Sequence, residues 1–397
     1  MATREEADST RGRANALRLA ISGQLGPAGL TDPELASVLD LCLECKACGS
    51  ECPTGVDMAR LKSEFLHQFQ RIHGTPLRSR VLGAAELGAV WGSRLAPASG
   101  WIQSSRLVRW LLDIALGIDR RRPLPQATRH TFRRQWRRHR LAPAGEGETT
   151  GRRMILFVDT FTNFYEPDIP LSAVRLASKL GWSVSVPPRV CCGRPLISKG
   201  LLDRARVQAE ATSAALAGAA AEGTPIAFCE PGCFSAVRDD HPRLVRPHLR
   251  AVAESVAAAA VTVEEWAASA LDATARPAPT AAEAGPVRVL VHGHCHQKAL
   301  VGMDPTAALL ARIPEAEVTV LDGGCCGMAG SFGYEREHYA LSEQIGELRL
   351  FPALRERPAD TIVVASGFSC RHQIRHFTDT EPLTPVQIVE PLIGTGA

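Results

Sequence analysis

Lysine is scarce in this chain. Of its 45 basic residues only five are lysine, at positions 46, 62, 179, 199 and 298, which leaves 40 arginines. We read that bias as genome composition. Against 42 acidic residues the net charge is only +3, which argues against a general nucleic-acid binder. Long apolar runs are missing too: none approaches the ~18 residues of a membrane-spanning helix. The N-terminus, MATREEADSTRGRA, is charged from its fourth residue and lacks an apolar core, so a secretory leader is not expected. A cytoplasmic protein is expected, with peripheral contact on the inner face of the membrane as an option.

Cysteine, by contrast, is abundant and clustered. There are twelve: Cys42, Cys45, Cys48 and Cys52, then Cys191 and Cys192, Cys229 and Cys233, Cys295, Cys325 and Cys326, and Cys370. In a cytosol-like chain of 397 residues such clusters read as metal or redox sites, not as a disulfide framework.

Helical spacing fills residues 12–40, with Thr31 as a candidate N-cap, and residues 57–73, with Asp57 as cap. The first cysteine cluster is therefore expected in a loop between helices. Residues 101–140 carry eleven Arg against two Asp, with Trp101, Trp110, Phe132 and Trp136 interleaved. This stretch reads as a solvated helical connector, or as a surface for an acidic partner or anionic lipid. Residues 141–150 and 272–286 read as linkers. Between and beyond them one order occurs twice: strand, helix, strand, CCG, helix, strand, Cys, helix. Alternating strands and helices predict parallel sheets, with the cysteines at the strand ends where such sheets bind ligands.

Residues 42–53, CLECKACGSECP, have the C-x2-C-x2-C-x3-C-P spacing of a [4Fe–4S] site, since two-residue gaps let a tight loop present three thiolates to one cube. Zinc is the alternative, although its sites usually pair two separated C-x2-C units. In two-cluster ferredoxins the fourth Cys of each motif serves the other cluster. Either Cys52 closes a local site, or further cysteines lie upstream. In the second repeat Cys295, Cys325, Cys326 and Cys370 make a set of four that could hold a second iron–sulfur cluster. Another metal and buried structural cysteines are the alternatives. In the first repeat Cys191, Cys192 and Cys233 match Cys325, Cys326 and Cys370. Asp159-Thr160-Phe161 stands where Cys295 does, so that site is either occupied or degenerate. Cys229 is a weak substitute. His292, His294 and His296 are expected to hydrogen-bond around the site, and the Gly-rich GMAGSFGYE stretch to bring its backbone close to the sulfurs.

The segments CLECKACGSECPTGVDMARLKSEF, VCCGRPL, EPGC, GHCHQK, GCCGMAGSFGYE and ASGFSCRHQI resemble the C-terminal iron–sulfur half of FAD-linked oxidases. These are of the D-lactate and D-2-hydroxyglutarate dehydrogenase type. A more distant similarity is to the glycolate oxidase iron–sulfur subunit, the C subunit of anaerobic glycerol-3-phosphate dehydrogenase and the cysteine-rich (CCG) domain of heterodisulfide reductase. The resemblance implies an α-helical ferredoxin-like domain over 1–80 and a basic helical connector over 81–150. Two duplicated α/β CCG domains would follow, over 151–275 and 286–397. It also implies an oxidoreductase component that passes electrons from FAD, held on a partner subunit or on an upstream half not present here, to a quinone or another carrier. No catalytic residue is expected in this chain. The alternatives are disulfide reduction at a CCG site and a non-enzymatic iron–sulfur or zinc redox sensor.

Overall fold

A computed structural model describes residues 2–139, 151–273 and 287–393. Segment 141–150 and all of 272–286 beyond residue 273, both read as linkers, lie outside the described residues.

The helices begin where local chemistry places them. Ser9 Oγ accepts from Gly12 N and starts Thr10–Ile21. Asp57 accepts from Arg60 N and starts Met58–His73, as expected. Pro33–Asp40 is capped by Asp32, whose carboxylate accepts from Glu34 N at 2.7 Å. Thr31 instead ends a preceding 3-10 turn, because Pro33 fits N1 only when the residue before it is the cap. Leu17, Ala20, Leu35, Leu39, Met58 and Phe65 close one small core together with Cys42.

Among the described residues seven strands form two parallel sheets. The first has order β2-β1-β3-β4, with β1 Arg153–Phe157, β2 Ser183–Ser185, β3 Ile226–Phe228 and β4 Ala260–Thr262. The second has order β6-β5-β7, with β5 Arg288–His292, β6 Glu317–Val320 and β7 Ile362–Ala365. Each of the six strands expected from the sequence is shorter than its apolar run, because pairing stops where the chain turns into the cysteine loops. β4 went unread, since its three residues sit inside a helical-looking Ala/Val run. A single parallel bridge, Val364 to Leu383, stands where β4 pairs with β3. The following helices repeat as well. Thr262 with Glu265 and Thr384 with Gln387 form matching capping boxes on Val263–Asp272 and Pro385–Leu392.

The duplication makes a near two-fold interface. Helix Asp168–Lys179 packs on Pro385–Leu392, and Val263–Asp272 packs on Asp304–Leu310. Met154, Leu156 and Trp266 of the first repeat share one core with Val289, Val291 and Val386 of the second. Within each sheet the chain leaves the central strand in opposite directions. The carboxyl ends of β1 and β3, and of β5 and β7, are thus topological switch points.

A charged cluster centred on buried His338 and Glu335 ties the N-terminal helices to both repeats. His338 Nε2 meets Asp40 at 2.8 Å, and its Nδ1 lies 3.3 Å from Glu335. Glu335 also pairs with Lys199 and with Arg78. Burial alone would lower the His338 pKa, but its pairing with Asp40 and Glu335 outweighs this and raises it to about 9. The contribution is therefore complete below the ordinary histidine value of ~6.5 and is lost as pH rises through about 9. Chemical denaturation between pH 6 and 10 is expected to show wild-type stability falling across that window by on the order of 1 kcal/mol more than in His338→Gln. Parallel curves would remove this role.

Candidate metal centre

The first cysteine loop is built to face the two repeats. Its backbone turns through left-handed conformations at Glu44 (φ 52°) and Lys46 (φ 63°), on either side of Cys45. Non-glycine residues adopt these only when surroundings enforce them. The enforcement is visible on both sides. Lys46, 4% exposed, places Nζ 2.6 Å from both Asp239 and Asp240. Arg194 pairs with Glu44 at 2.7 Å and with Asp240 at 3.3 Å. The His296 ring spans the remaining gap, with Nε2 2.9 Å from the Glu44 carbonyl and Nδ1 2.6 Å from Ser235 Oγ. Lys62 Nζ donates to the carbonyls of Asp40 and Cys42 and fixes the entry to the loop.

This latch sets Cys45 within the field of Cys42, Cys48, Cys325 and Cys295, although among the described residues the sulfurs of Cys42, Cys45 and Cys48 do not all lie within 4.8 Å of one another. Burial pushes the Cys45 thiol up to about 11. Cys48 Sγ accepts from Met58 N at 3.2 Å. Cys52, at the end of the one-turn helix Ala47–Glu51, turns toward Thr54 Oγ1 at 3.1 Å, and that contact lowers its pKa.

In the second repeat the four thiols interact in a chain, Cys295 with Cys325, Cys325 with Cys326 and Cys326 with Cys370. Contact with neighbouring sulfurs pulls the Cys325 and Cys370 thiols well down and pushes those of Cys295 and Cys326 well up. His292, at the end of β5, brings a ring nitrogen within 4.8 Å of both Cys326 and Cys370. Cys295 opens helix Cys295–Leu300, which His294 caps by accepting from His296 N. Lys298 ties that helix to the Gly323 carbonyl beside the CCG turn. Gly327 N points at Cys325 Sγ from 3.4 Å, the close approach expected of the Gly-rich stretch. Gly327 has φ 93°, and a Cβ there would collide with the Ser342 carbonyl. Gly327→Ala is expected to destabilise the chain by ~2–4 kcal/mol and to cut metal retention at this site. A thermal melt and iron count matching wild type would contradict it.

In the first repeat Cys192 Sγ and Cys233 Sγ approach to 2.9 Å. Cys191 adjoins Cys192, and Gly193 N points at its sulfur. Register places Thr160, not Asp159, opposite Cys295. Asp159 caps Thr160–Phe164 as His294 caps Cys295–Leu300. Cys229 follows β3 directly, in the register of Ser366. It packs in the shared core, while Cys192 and Cys233 belong to a different one. It is therefore not a substitute fourth ligand.

Sequence reading missed Glu44, Lys46, Arg194 and Asp240. Glu44, Lys46 and Arg194 were hinted at only by their positions within CLECK and CCGR, and Asp240 by no local signal. It also missed Arg371, which is buried beside Cys370.

Thiolates collected at the carboxyl ends of parallel strands, with glycine amides aimed at sulfur, define a cysteine-rich redox-centre protein. Comparison with known proteins agrees: residues 289–375 match the family model described as CCG, cysteine-rich domain. The chain is 30% identical to the C subunit of the anaerobic glycerol-3-phosphate dehydrogenase of Escherichia coli, over 79% of this chain and 76% of that protein. It therefore belongs to that family of iron–sulfur proteins of the FAD-linked oxidase type, whose members are oxidoreductase components. It is also similar to the D-2-hydroxyglutarate dehydrogenases of Escherichia coli (28% identical) and Pseudomonas putida (26% identical). The match covers 91% and 88% of this chain but only 35% and 33% of those proteins, so the chain spans about a third of their length.

Proposed function

We propose that this chain is the iron–sulfur electron-transfer component of an FAD-linked dehydrogenase acting on a 2-hydroxy acid or a related alcohol. Electrons come from flavin on a partner subunit or an upstream half and leave to a quinone or another carrier. The observation that carries the reading is the docking of the first cysteine loop on the second repeat, where helix Ala47–Glu51 packs on Cys295–Leu300 and His296 Nε2 lies 2.9 Å from the Glu44 carbonyl, which makes neighbours of the two richest cysteine sites.

The donor sets suit iron–sulfur clusters, since soft thiolates and few hard ligands surround each site. Cys42, Cys45 and Cys48 would hold one cluster, with Cys52 as the remaining cysteine of that motif. Cys295, Cys325, Cys326 and Cys370 would hold the second. A bound cluster supplies one-electron chemistry. The chain's own residues bury Cys42, Cys326 and Cys370 and fix the spacing of the two sites through Lys46, Arg194 and His296. The module boundaries follow the same reading: 1–80 for the first site, 81–150 for the connector, and 151–275 and 286–397 for the repeats. The test is rapid mixing of the anaerobic, oxidised chain with photoreduced free flavin. Bleaching of cluster absorbance without added substrate supports the reading. Oxidation of a 2-hydroxy acid by the flavin-free chain would overturn it.

The connector adds a second element, peripheral docking on an anionic membrane. Among the described residues no helix is long and apolar enough to cross a membrane. Helices Ala85–Arg94, Ala98–Ser104 and Arg106–Leu116 nevertheless leave Trp91, Trp101, Leu107, Trp110 and Ile114 exposed, Trp101 at 75%. The acids there turn away: Asp113 pairs with Arg336 and Glu86 with Arg189. Exposed Arg94 and Arg106 remain around the apolar face, while Arg120 joins Arg336 on Asp113. Sedimentation with phosphatidylglycerol vesicles at low salt is expected, with a loss of about tenfold in affinity for Trp101→Ser/Leu107→Ser. Equal binding to neutral vesicles, or none to anionic ones, would contradict it.

A further inference from the structure

Two arginines beside the cysteine sites are paired with carboxylates, Arg371 with Glu166 and Arg194 with Glu44 and Asp240. Arg122 of the connector is buried without such a partner. It is 2% exposed, and among the described residues its Nε and Nη1 have no hydrogen-bond acceptor. The acid nearest to it in sequence, Asp119, is held by Arg121 at 2.6 Å. Its Cζ instead lies 5.7, 5.4 and 5.1 Å from the ring centres of Tyr334, Tyr339 and Phe377. Such rings offset only part of the cost of burying a cation.

These rings stand against the second cysteine site. Tyr334 and Phe377 pack in one core with Cys326 and Cys370. Arg122 Nη2 reaches Ser342 Oγ at 3.4 Å, and Gln373 Nε2 reaches the same oxygen at 3.2 Å. The Ser342 carbonyl presses on Gly327, the residue after Cys326. Arg122 thus lies within the field of Cys326. The turn that carries it is fixed, since Asp119 N donates to the Tyr334 carbonyl at 2.7 Å and Arg122 N to the Asp119 carbonyl at 3.2 Å.

We propose that Arg122 is the countercation of the second centre: its charge, left unpaired by other side chains, favours the more negative reduced state and so raises the reduction potential. The inference rests on the reading of Cys295, Cys325, Cys326 and Cys370 as an iron–sulfur site. Net charge and burial are among the factors that set a cluster's potential, and a cation acts more strongly where water is excluded. One electron passes from reduced flavin to the centre, and no bond or proton moves. Arg122 touches no reacting atom, so it is a tuning residue and not a catalytic one.

The test is an EPR-monitored redox titration of the anaerobically purified full chain, with iron counted in every sample. The signal of the second centre is the one that Cys370→Ser removes. Arg122→Met, apolar and of similar reach, is expected to keep its iron. At the wild-type midpoint its ratio of reduced to oxidised centre is expected to fall about tenfold, which is ~59 mV for one electron. Arg122→Lys restores the charge but not the shape, and is expected to recover about half of that shift or more. An Arg122→Met chain that sheds iron which Arg122→Lys keeps supports the same role, because the charge is what has been restored. An Arg122→Met midpoint equal to wild type, or an Arg122→Lys chain that behaves as Arg122→Met, overturns the proposal and leaves the iron–sulfur reading in place. A wild type with neither iron nor sulfide overturns both.

Discussion

Arg371→Leu is expected to destabilise the chain by ~3–5 kcal/mol and to displace Cys370. Arg371 is 1% exposed and donates to four acceptors. Its Nη1 meets the carbonyls of Ala365 and Ser366 at 2.9 and 2.6 Å, at the end of β7. Its Nε and Nη2 hold the Glu166 carboxylate across the repeat interface, at 3.2 and 2.5 Å. Burial would raise the Glu166 pKa, but Arg371 outweighs it and brings the carboxyl down to about 2. Removing the guanidinium leaves a buried carboxylate with Arg375 alone and two carbonyls without donors. Because the folded pKa is depressed, this stabilisation is present above the ordinary ~4.3 and is lost as pH falls through about 2. The variant should therefore lose most stability near neutrality and markedly less at pH 2 and below, where only the two carbonyl bonds remain to be lost. Arg371→Lys should recover little, since an ammonium cannot span four acceptors. Urea titrations of the three chains check this, and an unfolding free energy within ~0.5 kcal/mol of wild type for Arg371→Leu would contradict it.

Lys46→Met is expected to empty the first cysteine site while leaving the second loaded. The ammonium is the main neutraliser of Asp239, whose carboxyl sits at about 2 because Lys46 outweighs the cost of its burial. Loss of one partner from a buried pair costs ~3 kcal/mol or more. Here part of it is recovered, because Arg60 and Arg243 still reach Asp239 and Arg194 still reaches Asp240. The remaining penalty falls on a loop already held in left-handed conformations, so the loop is what gives way. Iron is expected to fall by ~4 atoms per chain, the content of one cubane. A Lys46→Met chain with undiminished iron would show that the latch does not position the loop.

Much of this was legible in the sequence, because each signal was local. The spacing of residues 42–53, the doubled order of strand, CCG and Cys, and the Asp57 cap all depend on neighbours a few residues apart. What was not legible depends on distant contacts. Lys46 and Asp239 are separated by about half of the chain, and His338 and Asp40 by most of it, and no periodicity announces either pair. The matching of Thr160 to Cys295 needed the strand register, because a shift of one residue moves Asp159 into that place. Cys229 looked like a spare ligand from its spacing to Cys233. Only the sheet shows that it lies on the core side of β3.

The most direct measurement is iron, acid-labile sulfide and zinc in the anaerobically purified full chain, with EPR after reduction. The electron-transfer account expects iron and sulfide in equal amounts, at least ~8 of each for two loaded sites, and a reversible EPR signal broadened by interaction between neighbouring centres. Zinc in place of iron, with no sulfide and no EPR signal, would contradict it.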